Sequence, residues 1–558
     1  FYFLTASDHT HFLSLQNFFD SVEKFCPNDK IIFYDLGLNP DQKNKILNSY
    51  KNVQYKKFNF KDYPKFVNIN EKNFGSYAWK PAIIFNDEPL GYQQMAARID
   101  KAAELLRSQK IGTSDRLAYL GFNHPDIFIL LFACAKIGAV FVPLNWRLSK
   151  QELSDILADC QPKILLFDEK FAETGRNICP SASMLASEFF AQNRAENTSL
   201  EGGAVSEDSA LLLVYTSGST GRPKGVLLSQ KALRANAVMS LDAHQMRADD
   251  HILCVLPLFH VGGLNILATP AFFIGATVRL HSVFEPEACL RDCAKSDLVI
   301  VVPTILKRLI EQSGWADTDI SGLRAISIGS TDVPIELIEA VHARSVPVIQ
   351  IYGATETSPM AIYQHIAEAF ESVGSIGRQG CGCEVEIRDH NARPVRTGEP
   401  GEICVRGDNV LMGYWQDEAQ TKKALQEGWF YSGDVAYKDA AGLFWFVDRI
   451  KHVIISGGEN IYPAEIERVL LRHRDIEEVA VVGQPDGEWG EVPVAVIGAS
   501  PNADEEQLKS YLHGRLARYK HPRQFYFIDA LPRNAMGKIV AEEVKKEITR
   551  PATSSRAE

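Results

Sequence analysis

Ten consecutive residues, Thr216-Ser217-Gly218-Ser219-Thr220-Gly221-Arg222-Pro223-Lys224-Gly225, follow the short apolar run Leu211-Leu212-Leu213-Val214-Tyr215. Their types suit the capture of phosphate. Glycines let backbone amides approach an anion closely, the hydroxyls donate further hydrogen bonds, and Lys224 adds a positive charge. The stretch lacks the Gly-Lys-Ser/Thr ending of a Walker A loop. Further polar clusters follow at intervals: Pro257-Leu258-Phe259-His260-Val261-Gly262-Gly263-Leu264, Gln350-Ile351-Tyr352-Gly353-Ala354-Thr355-Glu356, Tyr431-Ser432-Gly433-Asp434, Asp448-Arg449-Ile450-Lys451, a segment containing Gly457-Gly458, and Pro532-Arg533-Asn534-Ala535-Met536-Gly537-Lys538-Ile539.

In type and order these clusters resemble the motifs of the adenylate-forming superfamily, which includes acyl-CoA synthetases, aryl-CoA ligases, luciferases and peptide-synthetase adenylation domains. The resemblance covers residues 82–548. It implies an ATP-dependent, AMP-forming acid–thiol ligase. A carboxylate is a poor electrophile, and ATP converts it to an acyl-adenylate with release of pyrophosphate; coenzyme A then displaces AMP. Negative charge develops on phosphoryl oxygens in both steps, so positioning, Mg²⁺ and protein cations should dominate catalysis.

The resemblance also implies roles. Thr216, Ser217, Gly218, Ser219, Thr220, Gly221 and Lys224 would hold the ATP phosphates. Gln350, Gly353 and Ala354 belong to the nucleotide-binding element in which Tyr352 stacks on adenine, Thr355 contacts the α-phosphate and Glu356 coordinates Mg²⁺. Asp434 would accept from both ribose hydroxyls, and Arg449 would reach the ribose or phosphate. Lys451 falls at the hinge, Gly457 and Gly458 border the pantetheine tunnel, and Lys538 bridges carboxylate and phosphate during adenylation. His260 resembles the gate between the acid pocket and the thiol tunnel. By analogy Asn265, Gly329, Ser330, Thr331, Ala354 and Met360 line the acid pocket. Two positions depart from the pattern: Gln230 stands where relatives often have histidine, and Gly329-Ser330-Thr331-Asp332-Val333-Pro334 replaces the usual Gly-Gly-Ala-Pro.

Amino-acid adenylation would call for an aspartate near His260, and Phe259-His260-Val261-Gly262-Gly263-Leu264-Asn265 holds none. The same stretch is similar to feruloyl-CoA and to medium- or long-chain fatty acyl-CoA synthetases, which leaves aryl and aliphatic acids both open. The alternative from another class is an inactive hybrid, or a glycosyltransferase-like binding protein.

The elements that must position these groups point to an α/β fold. A large multi-sheet adenylate-forming body over 82–450 would be followed by a smaller mobile α+β domain over 451–548, with a disordered tail at 549–558. Residues 127–136 read as a buried helix that turns at Gly138 into a strand over 139–142. Residues 1–81 differ from the remainder: they hold eleven lysines and no arginine. They are a foreign-looking segment in which a parallel strand is expected over 30–35, after a helix that ends before Cys26. With Thr5-Ala6-Ser7-Asp8 after a first strand, this resembles the opening of a nucleotide-sugar-dependent glycosyltransferase, although no Asp-x-Asp metal pair accompanies it. A fused fragment, a mis-joined gene or a working extra domain would each account for the change in composition.

A formal charge of −11 over 558 residues argues against nucleic acid as a partner. Ten scattered cysteines fit a reducing compartment. No secretory signal, peroxisomal address or membrane span is evident, and a cytoplasmic enzyme acting on small molecules is expected, with a homodimer open.

Overall fold

A computed structural model describes residues 2–7, 30–35, 41, 44–45, 53–57, 80–192, 205–216, 223–330, 333–500, 502–533 and 539–549. Within the first segment, Tyr2–Ser7, Lys30–Asp35 and Val53–Lys57 form a parallel three-stranded sheet. The strand expected over 30–35 is present. The expected helix before Cys26 lies outside the described residues.

The remainder is mixed α/β and built from four sheets. A nine-stranded sheet runs through Val348–Tyr352, Ala325–Gly329, Leu298–Val301, His251–Cys254, Thr277–Leu280 and Pro81–Phe85, parallel along this stretch. A seven-stranded sheet carries the hairpin Ala210–Thr216 and Lys224–Ser229, with the two-residue strand Gly413–Tyr414 at its edge. A third sheet pairs Trp429–Lys438 with Phe444–Arg449. The last holds Ile454–Ser456, Glu459–Ile461, Glu478–Asp486, Gly490–Gly498 and Gln524–Ile528.

The helix Pro125–Ile137 shows why the body holds together. It is apolar around its whole circumference, and all but one of its residues are buried. Such a helix needs protein on every side; here it belongs to the main core, with Phe128 packed edge-on against Phe272 at 5.0 Å. Gly138 ends it in the left-handed conformation at φ 75°, and Val140–Leu144 follows as a fully buried strand. That left-handed turn requires little strain only from glycine. No helix among the described residues is long and apolar enough to cross a membrane.

Parallel strands place their carboxyl ends along one edge, where ligands of open α/β sheets bind. The ends of Ala325–Gly329 and Val348–Tyr352 meet there, with Gly329 opposite Ile351. A Cβ on Gly329 would stand 2.3 Å from the Ile351 carbonyl oxygen, so this close approach requires glycine.

Candidate active site

Three chain segments converge on the carboxyl end of Val348–Tyr352. The first is the hairpin. Thr216 pairs with Lys224, and the Thr216 hydroxyl donates to the Lys224 carbonyl at 3.4 Å. Its base is wedged: Trp415 N–H donates to the Gly225 carbonyl at 2.7 Å, and a Cβ on Gly225 would press Leu213 and Trp415. The Tyr215 hydroxyl donates to the Asp159 carboxylate, fixing the neighbouring strand. Ser217, Gly218, Ser219, Thr220 and Gly221 lie outside the described residues.

The second segment is the turn after Tyr352. Gly353 passes so close to the returning chain that a Cβ would sit 1.7 Å from the Pro359 carbonyl oxygen. The Thr357 hydroxyl accepts from Ala354 N–H at 2.9 Å and closes a short 3₁₀ turn, Thr355–Thr357. Three buried asparagines then anchor the chain as it leaves. Asn236 accepts from Met360 N–H at 3.1 Å, Asn409 donates to the Met360 carbonyl at 2.8 Å, and Asn265 donates to the Ser358 carbonyl at 3.3 Å. Buried amides satisfied in this way hold backbone in place.

The third segment is the Trp429–Lys438 and Phe444–Arg449 pair, in which Asp434 lies directly opposite Arg449. The Tyr352 hydroxyl donates to Asp434 Oδ2 at 2.8 Å, and Arg449 Nε stands 3.1 Å from Asp434 Oδ1. Tyr352, Asp434 and Arg449 are thus brought together although they come from two sheets. Burial, then the Asp434 charge, pushes the Tyr352 phenol well above its ordinary pKa, so it remains a donor. Glu402 accepts from Gly433 N–H at 2.7 Å and fixes the turn that presents Asp434; burial raises its pKa.

Glu356 accepts from the Tyr414 hydroxyl at 2.8 Å, and Lys224 Nζ lies 5.9 Å from the centre of the Tyr414 ring. The donor set suits Mg²⁺. That ion keeps several waters and takes one or two protein carboxylates beside substrate phosphates. Glu356 supplies one carboxylate, and no cluster of three or more His, Cys, Asp or Glu side chains able to hold a metal occurs among the described residues.

On the acid side, Gly262 and Gly263 are adjacent but unlike. A Cβ on Gly263 would meet the Pro257 carbonyl oxygen at 2.4 Å, whereas one on Gly262 meets nothing within 4 Å. His260 packs on Phe259 with ring centres 4.5 Å apart. Asn265 and Met360 are fully buried, Gly329 is crowded by Ile351, and Ser330 is left-handed at φ 78°. Thr331 lies outside the described residues. The Gln350 backbone N–H donates to Gln364 at 2.7 Å, within the strand rather than at its end.

Lys451 has its pKa lowered, by burial first and then by Arg449; Asp434, Glu542 and Lys224 also act on it. Glu542, whose charge acts on Lys451, belongs to the last helix, Ala541–Thr549. Lys538 itself lies outside the described residues. Gly457 and Gly458 sit at the tip of the Ile454–Ser456 and Glu459–Ile461 hairpin, both left-handed at φ 57° and 88°. A Cβ on Gly457 would meet the Trp489 ring at 2.6 Å, while one on Gly458 would meet open space. The sequence reading missed Tyr414, Glu402, Asn236 and Asn409, none of which belongs to a phosphate, ribose or metal motif.

Residues 71–415 match the family model for AMP-binding enzymes, and 465–538 match the AMP-binding enzyme C-terminal domain. The chain belongs to the AMP-binding enzymes. Residues 1–85 match a protein family of unknown function, which assigns them no chemistry. An indoleacetate–CoA ligase of Aromatoleum aromaticum is 43% identical over 497 residues, covering 86% of this chain and 97% of that protein. A feruloyl-CoA synthase of Amycolatopsis is 39% identical, covering 82% and 94%. Among solved structures, the o-succinylbenzoate CoA synthetase of Bacillus subtilis with its acyl-adenylate intermediate matches with a TM-score of 0.77 at 31% identity, covering 84% of this chain and 95% of that one. As an AMP-binding enzyme of this kind, the protein is an AMP-forming acid–thiol ligase. It uses ATP with Mg²⁺ to convert a carboxylic acid to an acyl-adenylate and passes the acyl group to coenzyme A.

Proposed function

We propose that the acid is aromatic, of the arylacetate or arylpropenoate type, and that it enters beside Gly262 and His260. The observation that carries this reading is the 43% identity to an indoleacetate–CoA ligase over nearly the whole of that protein. The open space at Gly262 supports it, because a flat ring needs width that a side chain there would remove.

In this reading the division is a body over 82–450 and a lid over 451–548, hinged at Lys451. Tyr352 offers its ring to adenine while its hydroxyl holds Asp434, whose carboxylate accepts from the ribose hydroxyls. Thr216, Lys224 and residues 217–221 hold the phosphates, and Thr355 contacts the α-phosphate. Bound at Glu356, Mg²⁺ supplies neutralisation of phosphate charge. The acid carboxylate attacks the α-phosphorus and pyrophosphate leaves; the Lys538 ammonium offsets the charge that grows between them. Rotation of the lid then exchanges Lys538 for Gly457 and Gly458, and the thiolate attacks the acyl carbonyl to expel AMP. The free cysteines among the described residues support a cytoplasmic setting, and a homodimer is the assembly to test.

The test is an acid panel with ATP, Mg²⁺ and coenzyme A, comparing indoleacetate, ferulate, octanoate and palmitate. The aryl acids should give equal amounts of AMP and acyl-CoA at kcat/KM at least tenfold above either fatty acid. Preference for octanoate or palmitate would reverse the assignment.

A further inference from the structure

We infer that Tyr414 is a positioning residue which orients the Glu356 carboxylate toward Mg²⁺ while holding the phosphate-loop cation Lys224 apart from it. The inference rests on the proposed role of Glu356 as the Mg²⁺ ligand.

One ring does two things here. Its hydroxyl donates to Glu356 Oε1 at 2.8 Å, and its centre lies 5.9 Å from Lys224 Nζ, within cation–π range. A Glu side chain turns freely about its last torsion. A donor fixed to one oxygen sets the plane of the carboxylate and with it the direction of the other oxygen. Mg²⁺ demands near-ideal octahedral geometry, so that direction matters more than it would for Ca²⁺.

The backbone around Tyr414 is tied to both partners. Leu411 N–H donates to the Glu356 carbonyl at 2.8 Å, and Met412 N–H donates to the Leu227 carbonyl at 2.9 Å. Tyr414 pairs with Val226 on the Lys224 strand, and its own N–H donates to the Thr421 hydroxyl at 2.8 Å. Residues 411–415 therefore form a strap between the phosphate hairpin and the turn that carries Glu356. Without the ring, the Lys224 ammonium and the Glu356 carboxylate would be drawn to each other whenever phosphate is absent. Binding nucleotide would then require breaking that pair.

The experiment is calorimetric titration of ATP into the full chain without acid or coenzyme A, so no turnover occurs. Each protein is titrated once in EDTA and once with Mg²⁺. In wild type, Mg²⁺ should tighten ATP binding by a measurable ratio. Tyr414→Phe keeps the ring and loses the hydroxyl; it should lower that ratio about tenfold, the worth of one hydrogen bond to a charged group, and leave Mg²⁺-free affinity unchanged. Tyr414→Ala should also weaken Mg²⁺-free binding several-fold. Glu356→Gln should remove the Mg²⁺ ratio altogether. A wild-type ratio in Tyr414→Phe, beside its loss in Glu356→Gln, would overturn the strap alone. A wild-type ratio in Glu356→Gln would overturn the Glu356 assignment and the strap with it. Mg²⁺-free binding serves as the folding control for Tyr414→Phe and Glu356→Gln, and a wild-type circular-dichroism melting curve serves for Tyr414→Ala.

Discussion

The ribose side of the site and its phosphate side are built on different plans. On the ribose side, Tyr352, Asp434 and Arg449 stand on paired strands and brace one another through two contacts of 2.8 and 3.1 Å. The groups are positioned before any ligand arrives. On the side proposed for the phosphates, the described contacts are those of Tyr414, which donates to Glu356 and lies within cation–π range of Lys224. In the proposed reading, nucleoside recognition is a property of the body's sheets, and the chemistry at phosphorus depends on a lid cation brought in for one of two half-reactions.

The largest expected effect comes from removing the cation proposed to act during adenylation. Lys538→Ala should lower the rate of acyl-adenylate formation by at least about 10²–10³-fold, the range for losing one group that stabilises developing charge. Thiol transfer from a supplied acyl-adenylate should stay within about threefold of wild type, since a different face of the lid serves it. Equal loss in both steps, measured by quenched-flow, would make Lys538 structural and erase the contrast between the two sides.

Next is the ribose brace. Asp434→Ala removes the acceptor for Tyr352 and the partner of Arg449. The KM for ATP should rise about 100-fold, as two charge-assisted hydrogen bonds to ribose are lost. Its thiol-transfer rate at saturating acyl-adenylate should change little. An unchanged KM would show that the brace is structural only.

A smaller effect separates the two neighbouring glycines. Gly263→Ala should destabilise the body by about 2 kcal/mol, because its Cβ has no room beside the Pro257 carbonyl. Gly262→Ala should leave the melting temperature within about 1 °C, since a 0.5 kcal/mol surface-like change moves it little. Its effect should fall on the acid panel instead, with bulky aryl acids losing more kcat/KM than small ones. If both variants melt like wild type, the crowding at Gly263 is relieved by backbone movement.

A last effect, spread over more than two pH units and so smallest at any one step, concerns acid stability of the body. His244 is fully buried, hydrogen-bonded to the Ser240 carbonyl and the Ser327 hydroxyl, and burial pushes its pKa down to about 4. As pH falls, the unfolded chain takes up this proton first. Stability from neutral His244 is therefore complete above about pH 6.5 and is lost progressively down to about pH 4, by about 3 kcal/mol in all. Denaturant midpoints across that range should fall less steeply in His244→Asn. A slope unchanged by that substitution would place the acid sensitivity elsewhere.

The chemistry of the site was more legible in the sequence than its construction. The strand and loop around 211–225 and the buried helix near 127–136 follow from apolar runs bounded by glycine and proline, whereas the second hairpin strand, Lys224–Ser229, was not read. The opposition of Asp434 and Arg449 depends on the register of two antiparallel strands, which a bulge between Val435 and Ala436 shifts, so spacing alone could not fix it. Tyr414 was invisible because it lies on a two-residue strand at a sheet edge, too short to leave a periodic pattern. Gly262 and Gly263 read alike, and only packing distinguishes the crowded one from the open one. In the N-terminal segment two strands of three were legible, the first one and the one at Lys30–Asp35.

The central claim is that this chain activates an aromatic carboxylate through its adenylate. It is tested most directly by supplying the best aryl acid of the panel with ¹⁸O in its carboxylate, together with ATP, Mg²⁺ and coenzyme A. Mass spectrometry should find one labelled oxygen in AMP, none in pyrophosphate, and one acyl-CoA formed per AMP. Label in pyrophosphate or phosphate, or AMP released without label from folded protein, would contradict it.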